Sequence, residues 1–341
     1  MIALVESAAS CSWWRYSVHM RAMTLDTWGL KPSLTELPDP TPGLEQVLVR
    51  VRATSVNPID WKQASGEARP ILGAKFPKFV PGYDLAGEVA ALGPGVTGFS
   101  VGQRVHTRLS GRAGGASAEL VLAGLDVLQP LPSKLDFAQG AGLPLAGLTA
   151  LQGLRDACEL PMSGATQRVL VIGASGGVGH LAVQIARAAG AHVTGVCSSR
   201  NVELVRRLGA HEVIDYTRPD AWRGVAPFDV IADTIGSAPG EFLPRLTEKG
   251  RFSSCLPGPA VFAHAALNLV RAKKVLPVLM APNAKDLGVL DALAEKGQLE
   301  VVIDSRFPFE QLGAAWERSR TGRAAGKVIV DVTQPSAPLT R

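Results

Sequence analysis

RVLVIGASGGVGHLAVQIARAAGAHVTGVC, residues 168–197, is the stretch from which the rest of the chain can be read. Its first five residues are a short run dominated by β-branched and aliphatic side chains, the length and composition of a buried strand. They run directly into Gly173-Ala174-Ser175-Gly176-Gly177-Val178-Gly179, in which Ala174-x-Gly176-x-x-Gly179 fits the A/G-x-G-x-x-G pattern. Behind the glycines, Val178, Leu181, Ala182, Ile185, Ala186 and Ala189 recur at helical spacing and form one continuous apolar face. A second strand, residues 192–197, follows. Strand, glycine turn, helix and strand in this order make a dinucleotide-binding unit. The glycines let the backbone turn tightly against a pyrophosphate, whose charge sits on the free N–H groups and positive end of the helix. Ala174, Ser175, Gly176, Gly177 and Val178 are the candidate phosphate cradle.

The second strand ends at Ser198-Ser199-Arg200-Asn201. A site for NAD places an Asp or Glu about 20 residues past the fingerprint to bind the ribose hydroxyls. The first acid here is Glu203, already expected on the next helix. Two hydroxyls and a guanidinium suit a 2′-phosphate through charge-assisted hydrogen bonds. NADPH is therefore the expected cofactor, with Ser198 and Arg200 as its partners; for Arg200 alone, an exposed loop arginine is the plain alternative. Tyr216, after the third strand, either flanks the adenosine end or caps the sheet.

Outward from this unit, strand candidates at residues 212–214, 228–233, 250–255 and 275–281 alternate with helical stretches, which predicts βαβ units around a parallel sheet. Before Pro144 the texture differs. QVLVRVRA (46–53) alternates apolar and charged residues, and residues 84–92 and 118–121 continue the pattern between turns such as Gly93-Pro94-Gly95 and residues 111–115. This half reads as an all-β, barrel-like domain. The end of the chain returns to strand, helix and strand at 299–303, 308–320 and 327–332. The expected division is an N-terminal extension (1–22), a first catalytic part (23–146), a nucleotide domain (147–283) and a return with a tail (284–341).

Composition excludes several classes. A chain of 341 residues, 46% hydrophobic and 19% charged, has enough apolar material for two cores and is not disordered. Lys and Arg number 35 against 30 Asp and Glu, and the excess forms no basic block, so nucleic acid is not an expected partner. No apolar run reaches the ~18 residues of a membrane span. Four scattered cysteines (11, 158, 197, 255), without a C-x-x-C pair, point to a reducing compartment, read as cytoplasmic, and away from structural zinc. In residues 1–22, Glu6 interrupts the only apolar stretch and argues against a signal peptide. Arg15, Arg21, Trp13 and Trp14 leave a transit segment as the alternative to a ragged extension.

Asn57-Pro58-Ile59-Asp60-Trp61-Lys62, PGYDLAGEV (81–89), PLAGLTAL (144–151) and GASGGVG (173–179) occur in order. Together they resemble the zinc-independent quinone oxidoreductase branch of the medium-chain dehydrogenase/reductase superfamily, and within it the chloroplast-envelope-type quinone oxidoreductases and enone reductases. The resemblance covers about residues 23–332. It implies a GroES-like β-barrel catalytic domain, a Rossmann domain with a doubly wound parallel sheet inserted before the C-terminal return, NADPH, and an active site in the cleft between them. It places Thr149 near the cofactor, where a first-turn hydroxyl is the plain alternative. It also makes Lys327 a tail residue that reaches the cofactor, against a solvated strand-edge lysine. Residues 275–281 resemble the edge strand that pairs subunits, so a homodimer is expected, with a monomer as the alternative.

A catalytic zinc needs three protein ligands and an open position. Zinc-dependent relatives carry a Cys and a Gly-His-Glu at the two barrel motifs; this chain has Asn57 and Gly82-Tyr83-Asp84, and its six histidines form no ligand-spaced cluster. No metal is expected. Hydride delivery to a quinone, or to the β-carbon of an α,β-unsaturated carbonyl, builds negative charge on oxygen that pre-oriented donors stabilise. Asn57, Tyr83 and Lys62 are the candidate donors, with solvent returning the proton. Asn57 is equally readable as an Asn-Pro turn residue. Tyr83 departs from the subgroup, which carries a small or non-aromatic residue there, and either donates to substrate or narrows the pocket. Asp60 is either an acid–base group or the partner of Lys62 in an ion pair. The expected activity is NADPH-dependent, metal-free reduction of a quinone or enone. Its rivals are an enoyl reductase acting on a carrier- or CoA-bound thioester and a non-catalytic NADPH-binding regulator.

Overall fold

The computed structural model describes residues 19–69, 72–111 and 114–332. The first strand, β1 (His19–Thr24), pairs antiparallel with β2 (Ser33–Pro38). Pairing is thus already in place four residues ahead of Met23, where the first catalytic part was expected to begin. Residues 1–18, with Cys11, Trp13, Trp14 and Arg15, lie outside the described residues, as do Arg112 and Ala113 of the glycine-rich turn and residues 333–341.

The long strand β3 (Gln46–Val56) carries the alternating pattern, with Val47, Val49, Val51 and Ala53 buried while Arg50 stays in water. Helix α1 (Pro58–Ser65) follows, with proline at its first turn, where no amide hydrogen is needed. Then come β4 (Asp84–Leu92), β5 (Arg104–Arg108), β6 (Leu120–Gly124), β7 (Leu128–Pro130), and helices α2 (Phe137–Gly142) and α3 (Pro144–Gln152). Asp136 and Gln139 cap α2 reciprocally.

The nucleotide half contains β8 (Arg168–Ile172), helix α4 (Gly179–Ala189), β9 (His192–Cys197), β10 (Glu212–Asp215), β11 (Phe228–Asp233), β12 (Leu246–Ser254) and β13 (Lys274–Pro277). All neighbours are parallel, and the order is β10-β9-β8-β11-β12-β13. Numbered from β8 this is 3-2-1-4-5-6, with the switch point beside the glycine turn. Gly190 ends α4 in the left-handed region, which favours glycine.

The chain then returns. β14 (Ile303–Pro308) and β15 (Lys327–Asp331) complete a sheet ordered β14-β15-β3-β4-β5-β7, with β6 also on β3. The return begins later than residue 284. The helix Ala284–Glu295 buries Leu287, Leu290 and Ala294 in the same apolar cluster as Leu181 and Ile185 of α4. Residues 299–302 feed Leu299 and Val301 into that cluster and pair only from Ile303 on. Phe309 and Trp316 close the barrel core against Met23, Leu85 and Val330. The last parallel strand is shorter than residues 275–281, stopping at Pro277, and it forms an edge of its sheet. Among the described residues no helix is long and apolar enough to cross a membrane.

Candidate active site

Three strand ends converge on one buried point. In the antiparallel register Ser55 stands opposite Asp84, and Val56 opposite Val328, so Asn57, Asp84 and Lys327 meet. The Asp84 carboxylate is fully buried and accepts three hydrogen bonds: from Ser55 Oγ (3.0 Å), Asn57 Nδ2 (2.9 Å) and the Leu145 amide (2.9 Å). Lys327 Nζ donates to Asn57 Oδ1 at 2.6 Å and stands 4.0 Å from Asp84 Oδ2. Both ends of the Asn57 amide are thereby held, leaving one N–H and one lone pair for a ligand. Burial pushes Asp84 up and Lys327 down, toward their neutral forms; their mutual attraction and the donors around Asp84 act the other way.

Asp60 lies beside this set. Its Oδ2 accepts the Asn57 amide at 2.7 Å, while its buried Oδ1 has no hydrogen-bond partner. Burial, reinforced by the charge of Asp84 and opposed by the Asn57 hydrogen bond and Lys327, pushes its carboxyl up to about 7. The Asp60–Lys62 ion pair foreseen as an alternative does not form. In α1 the buried face comprises Asp60, Gln63 and Ala64, and Lys62 turns to the other side, over the Trp61 ring at 5.6 Å. Trp61 in turn donates to Ser319 Oγ. The structure brings Asn57 and Asp60 together and leaves Lys62 outside.

Tyr83 is fully buried, donates from its hydroxyl to Gln63 Oε1 at 3.0 Å, and lies under the Arg108 guanidinium at 4.5 Å. Burial pushes its hydroxyl up to about 12, so it stays protonated at working pH. Asp84, Ser55, Gln63 and Arg108 carry much of the geometry and were not assigned from sequence. The one available signal was an acid opening an apolar strand, in the position of the glutamate of Gly-His-Glu.

On the nucleotide side Gly173 has φ +75°, and a Cβ on Gly176 would come near only Gly173 O, at 3.3 Å, so the outer face of the turn is clear. In the first turn of α4 the His180 amide closes onto Gly176 O and those of Leu181 and Ala182 onto Val178 O, and the turn is tied down at both flanks. Ser175 Oγ accepts Asn201 Nδ2 (2.8 Å), and Ser175 O accepts the Gly326 amide (2.9 Å). His180, buried in α4, bonds Gly176 O at 2.9 Å through Nδ1, and burial pushes it down to about 4, so it is neutral. Ala174 is buried beneath the turn, and Val178 and Thr149 line a depression with Gly153, Thr234 and Cys255. Thr149 also donates to Leu145 O, one turn back in its own helix.

At the end of β9, Arg200 is exposed and donates to Arg323 O at 2.8 Å; Tyr216 is exposed nearby in sequence to Asp215. Asp215 was not foreseen. Hydrogen bonds from Thr217 and Ser199 hold its carboxyl below the usual range. Ser198 is half-buried beside them.

These residues fit a dinucleotide: the open glycine turn would hold the pyrophosphate and the Ser198–Arg200 end the adenosine. They do not fit a zinc ion. The donors at the two barrel motifs are an amide and a carboxylate, neither Cys nor His, and an ammonium already sits among them. Among the described residues no group of three or more His, Cys, Asp or Glu could hold a metal.

A six-stranded parallel sheet with its glycine turn at the switch point, joined to a barrel built from both ends of the chain, defines a nicotinamide-dependent dehydrogenase/reductase of the medium-chain type. Residues 43–133 match the alcohol dehydrogenase GroES-like domain, and residues 208–330 match the zinc-binding dehydrogenase family. The chain is 40% identical over 305 residues to the chloroplast envelope quinone oxidoreductase homolog of Arabidopsis thaliana, covering 87% of this chain and 92% of that protein. It is 31% identical over 296 residues to the 2-methylene-furan-3-one reductase of Solanum lycopersicum, covering 84% and 71%. The quinone oxidoreductase structure from Coxiella burnetii superposes with a TM-score of 0.81 at 30% identity, covering 93% of this chain and all of that one. The chain belongs to the quinone oxidoreductase branch of the medium-chain dehydrogenase/reductase superfamily and is an NAD(P)H-dependent oxidoreductase.

Proposed function

We propose that the chain is a metal-free, NADPH-dependent reductase of quinones or of the C=C bond of α,β-unsaturated carbonyls. The observation that carries this reading is the buried Asn57–Asp84 pair at the two motifs where zinc-dependent relatives keep their ligands, with the Lys327 ammonium brought up to it from β15. Bound nicotinamide would supply the hydride. Around it the chain's own groups orient the acceptor and receive the charge that develops on its oxygen. Asn57 has an N–H to offer; Tyr83, committed to Gln63 in this state, shapes the pocket wall. The names of the relatives, a quinone oxidoreductase and an enone-type reductase, support the same two acceptor classes. In this reading Ala174, Ser175, Gly176, Gly177 and Val178 hold the pyrophosphate, with Thr149 near the nicotinamide. The edge strand β13, with Leu279 exposed just beyond it, is the surface on which a second copy would pair.

The test is NADPH oxidation with 9,10-phenanthrenequinone, 2-cyclohexenone and an enoyl-CoA as acceptors, with and without EDTA. EDTA-resistant turnover of the first two is expected. Loss of activity with EDTA would overturn the metal-free reading, and turnover confined to the thioester would transfer the chain to the enoyl-reductase class. For the cofactor, Arg200→Ala is expected to raise KM for NADPH about 10-fold or more, the worth of a charge-assisted hydrogen bond, with KM for NADH unchanged. Equal effects on the two would remove Arg200 from the 2′-phosphate.

A further inference from the structure

We propose that Lys327 is the cation of the catalytic pocket, its ammonium supplying the positive charge against which the substrate oxygen becomes negative. This rests on the reductase reading above and reassigns the lysine from the cofactor to the substrate.

The local sequence is built to place it. Gly326 has φ +99°, and any Cβ there would overlap the Val302 carbonyl, so the residue before the lysine has to be glycine. The Gly326 amide donates to Ser175 O, which ties the start of β15 to the phosphate turn. The lysine stem then runs between two further glycines. A Cβ on Gly142 would stand 3.3 Å from Lys327 Cγ, and one on Gly177 would stand 3.5 Å from Lys327 Cδ. The side chain is thus threaded through a slot from the dinucleotide turn to the Asn57–Asp84 pair, with only 3% of the residue exposed.

Its hydrogen bonding distinguishes a reactive group from a simple counterion. Asp84 already receives three donors, none of them the ammonium, which at 4.0 Å lies beyond hydrogen-bond reach. The ammonium makes one hydrogen bond, to Asn57 Oδ1, out of three it can donate. Burying an ammonium is costly, so a lysine that leaves donors unused in this position needs another reason to be there. A developing oxyanion is such a reason, because fixed positive charge in a dry site acts most strongly on charge that appears during the reaction. For an enone, a hydride with its electron pair bonds to the β-carbon, the C=C π pair shifts to form the enolate beside Lys327, and water gives a proton to the α-carbon, leaving the nicotinamide oxidised. Lys327 keeps its own protons throughout.

The experiment compares wild type, Lys327→Met and the double variant Asp84→Asn/Lys327→Met in three readouts: kcat and KM with 9,10-phenanthrenequinone and 2-cyclohexenone, NADPH affinity by fluorescence titration, and thermal midpoint. Lys327→Met leaves a buried carboxylate without its cation, and the double variant removes both charges while keeping the shapes, so folding loss in the first is controlled by the second. The expected result is a fall in kcat of about 10²-fold in both variants, NADPH affinity within threefold of wild type, and a thermal midpoint recovered in the double variant. Recovery of kcat together with the midpoint would make Lys327 only the counterion of Asp84. A loss of NADPH affinity matching the loss of kcat/KM would return it to the cofactor. A wild type that binds NADPH and reduces none of the acceptors would instead sink the reductase reading, and this proposal with it.

Discussion

Gly179→Ala is expected to cost the protein both its cofactor and a large part of its stability. A Cβ built on Gly179 overlaps the Gly173 carbonyl oxygen and lies 2.8 Å from Gly173 C and 2.9 Å from Ala174 Cα. Every one of these atoms is backbone, so no side chain can swing aside. The only relief is to lift α4 off the turn, and α4 carries Leu181, Val183, Ile185 and Ala186, all fully buried. Overpacking of this kind costs about 3 kcal/mol, which lowers the thermal midpoint by roughly 4 °C in a chain of this size. The same displacement distorts the glycine turn proposed to hold the pyrophosphate, and NAD(P)H affinity should fall by at least ~10-fold, the equivalent of one lost charge-assisted hydrogen bond. Gly240→Ala is the control, since a Cβ there meets nothing within 4 Å and φ is not positive. A Gly179→Ala protein that melts within a degree of wild type would show that the turn has slack the backbone distances do not allow.

That glycine was readable in advance because its requirement is local: strand, turn and helix lie within one short segment, and their periods are visible in the residues. The parallel sheet followed for the same reason, each βαβ unit repeating the same change of period. The barrel site was only half readable. Asn57 and Asp60 announce themselves through a helix start three residues long. Their partners arrive by strand register across 27 residues for Asp84 and 270 for Lys327, and no local pattern encodes that meeting. Lys62 was misplaced by sequence proximity, although the helical period had the answer: 60, 63 and 64 share a face that 62 does not. The end of β13 was set by Pro277, which apolar patterning does not measure.

Asp60→Asn is expected to make the protein more stable at pH 8 and to change nothing near pH 4. The wild-type carboxyl titrates at about 7 when folded and near its ordinary value of 3.8 when unfolded. Between these values the folded chain holds a proton that the unfolded chain has released, so the stability linked to Asp60 is fully present below pH 4 and is lost as pH rises through 7. The loss is about 1.4 kcal/mol per pH unit, roughly 4 kcal/mol across the window. Asparagine keeps an oxygen for the Asn57 amide now accepted by Asp60 Oδ2 and carries no charge to desolvate, so the variant lacks this slope. Urea unfolding of both proteins from pH 5 to pH 8.5 measures the difference, which should widen steadily and then level off above 7. Parallel curves would mean that Asp60 is ionised throughout, with Lys327 shared between two buried carboxylates. A neutral Asp60 leaves the ammonium opposed by Asp84 alone, and Asp84 is already satisfied by three other donors. The pH slope of stability therefore also reports how much of the Lys327 charge is free to act on a substrate oxygen.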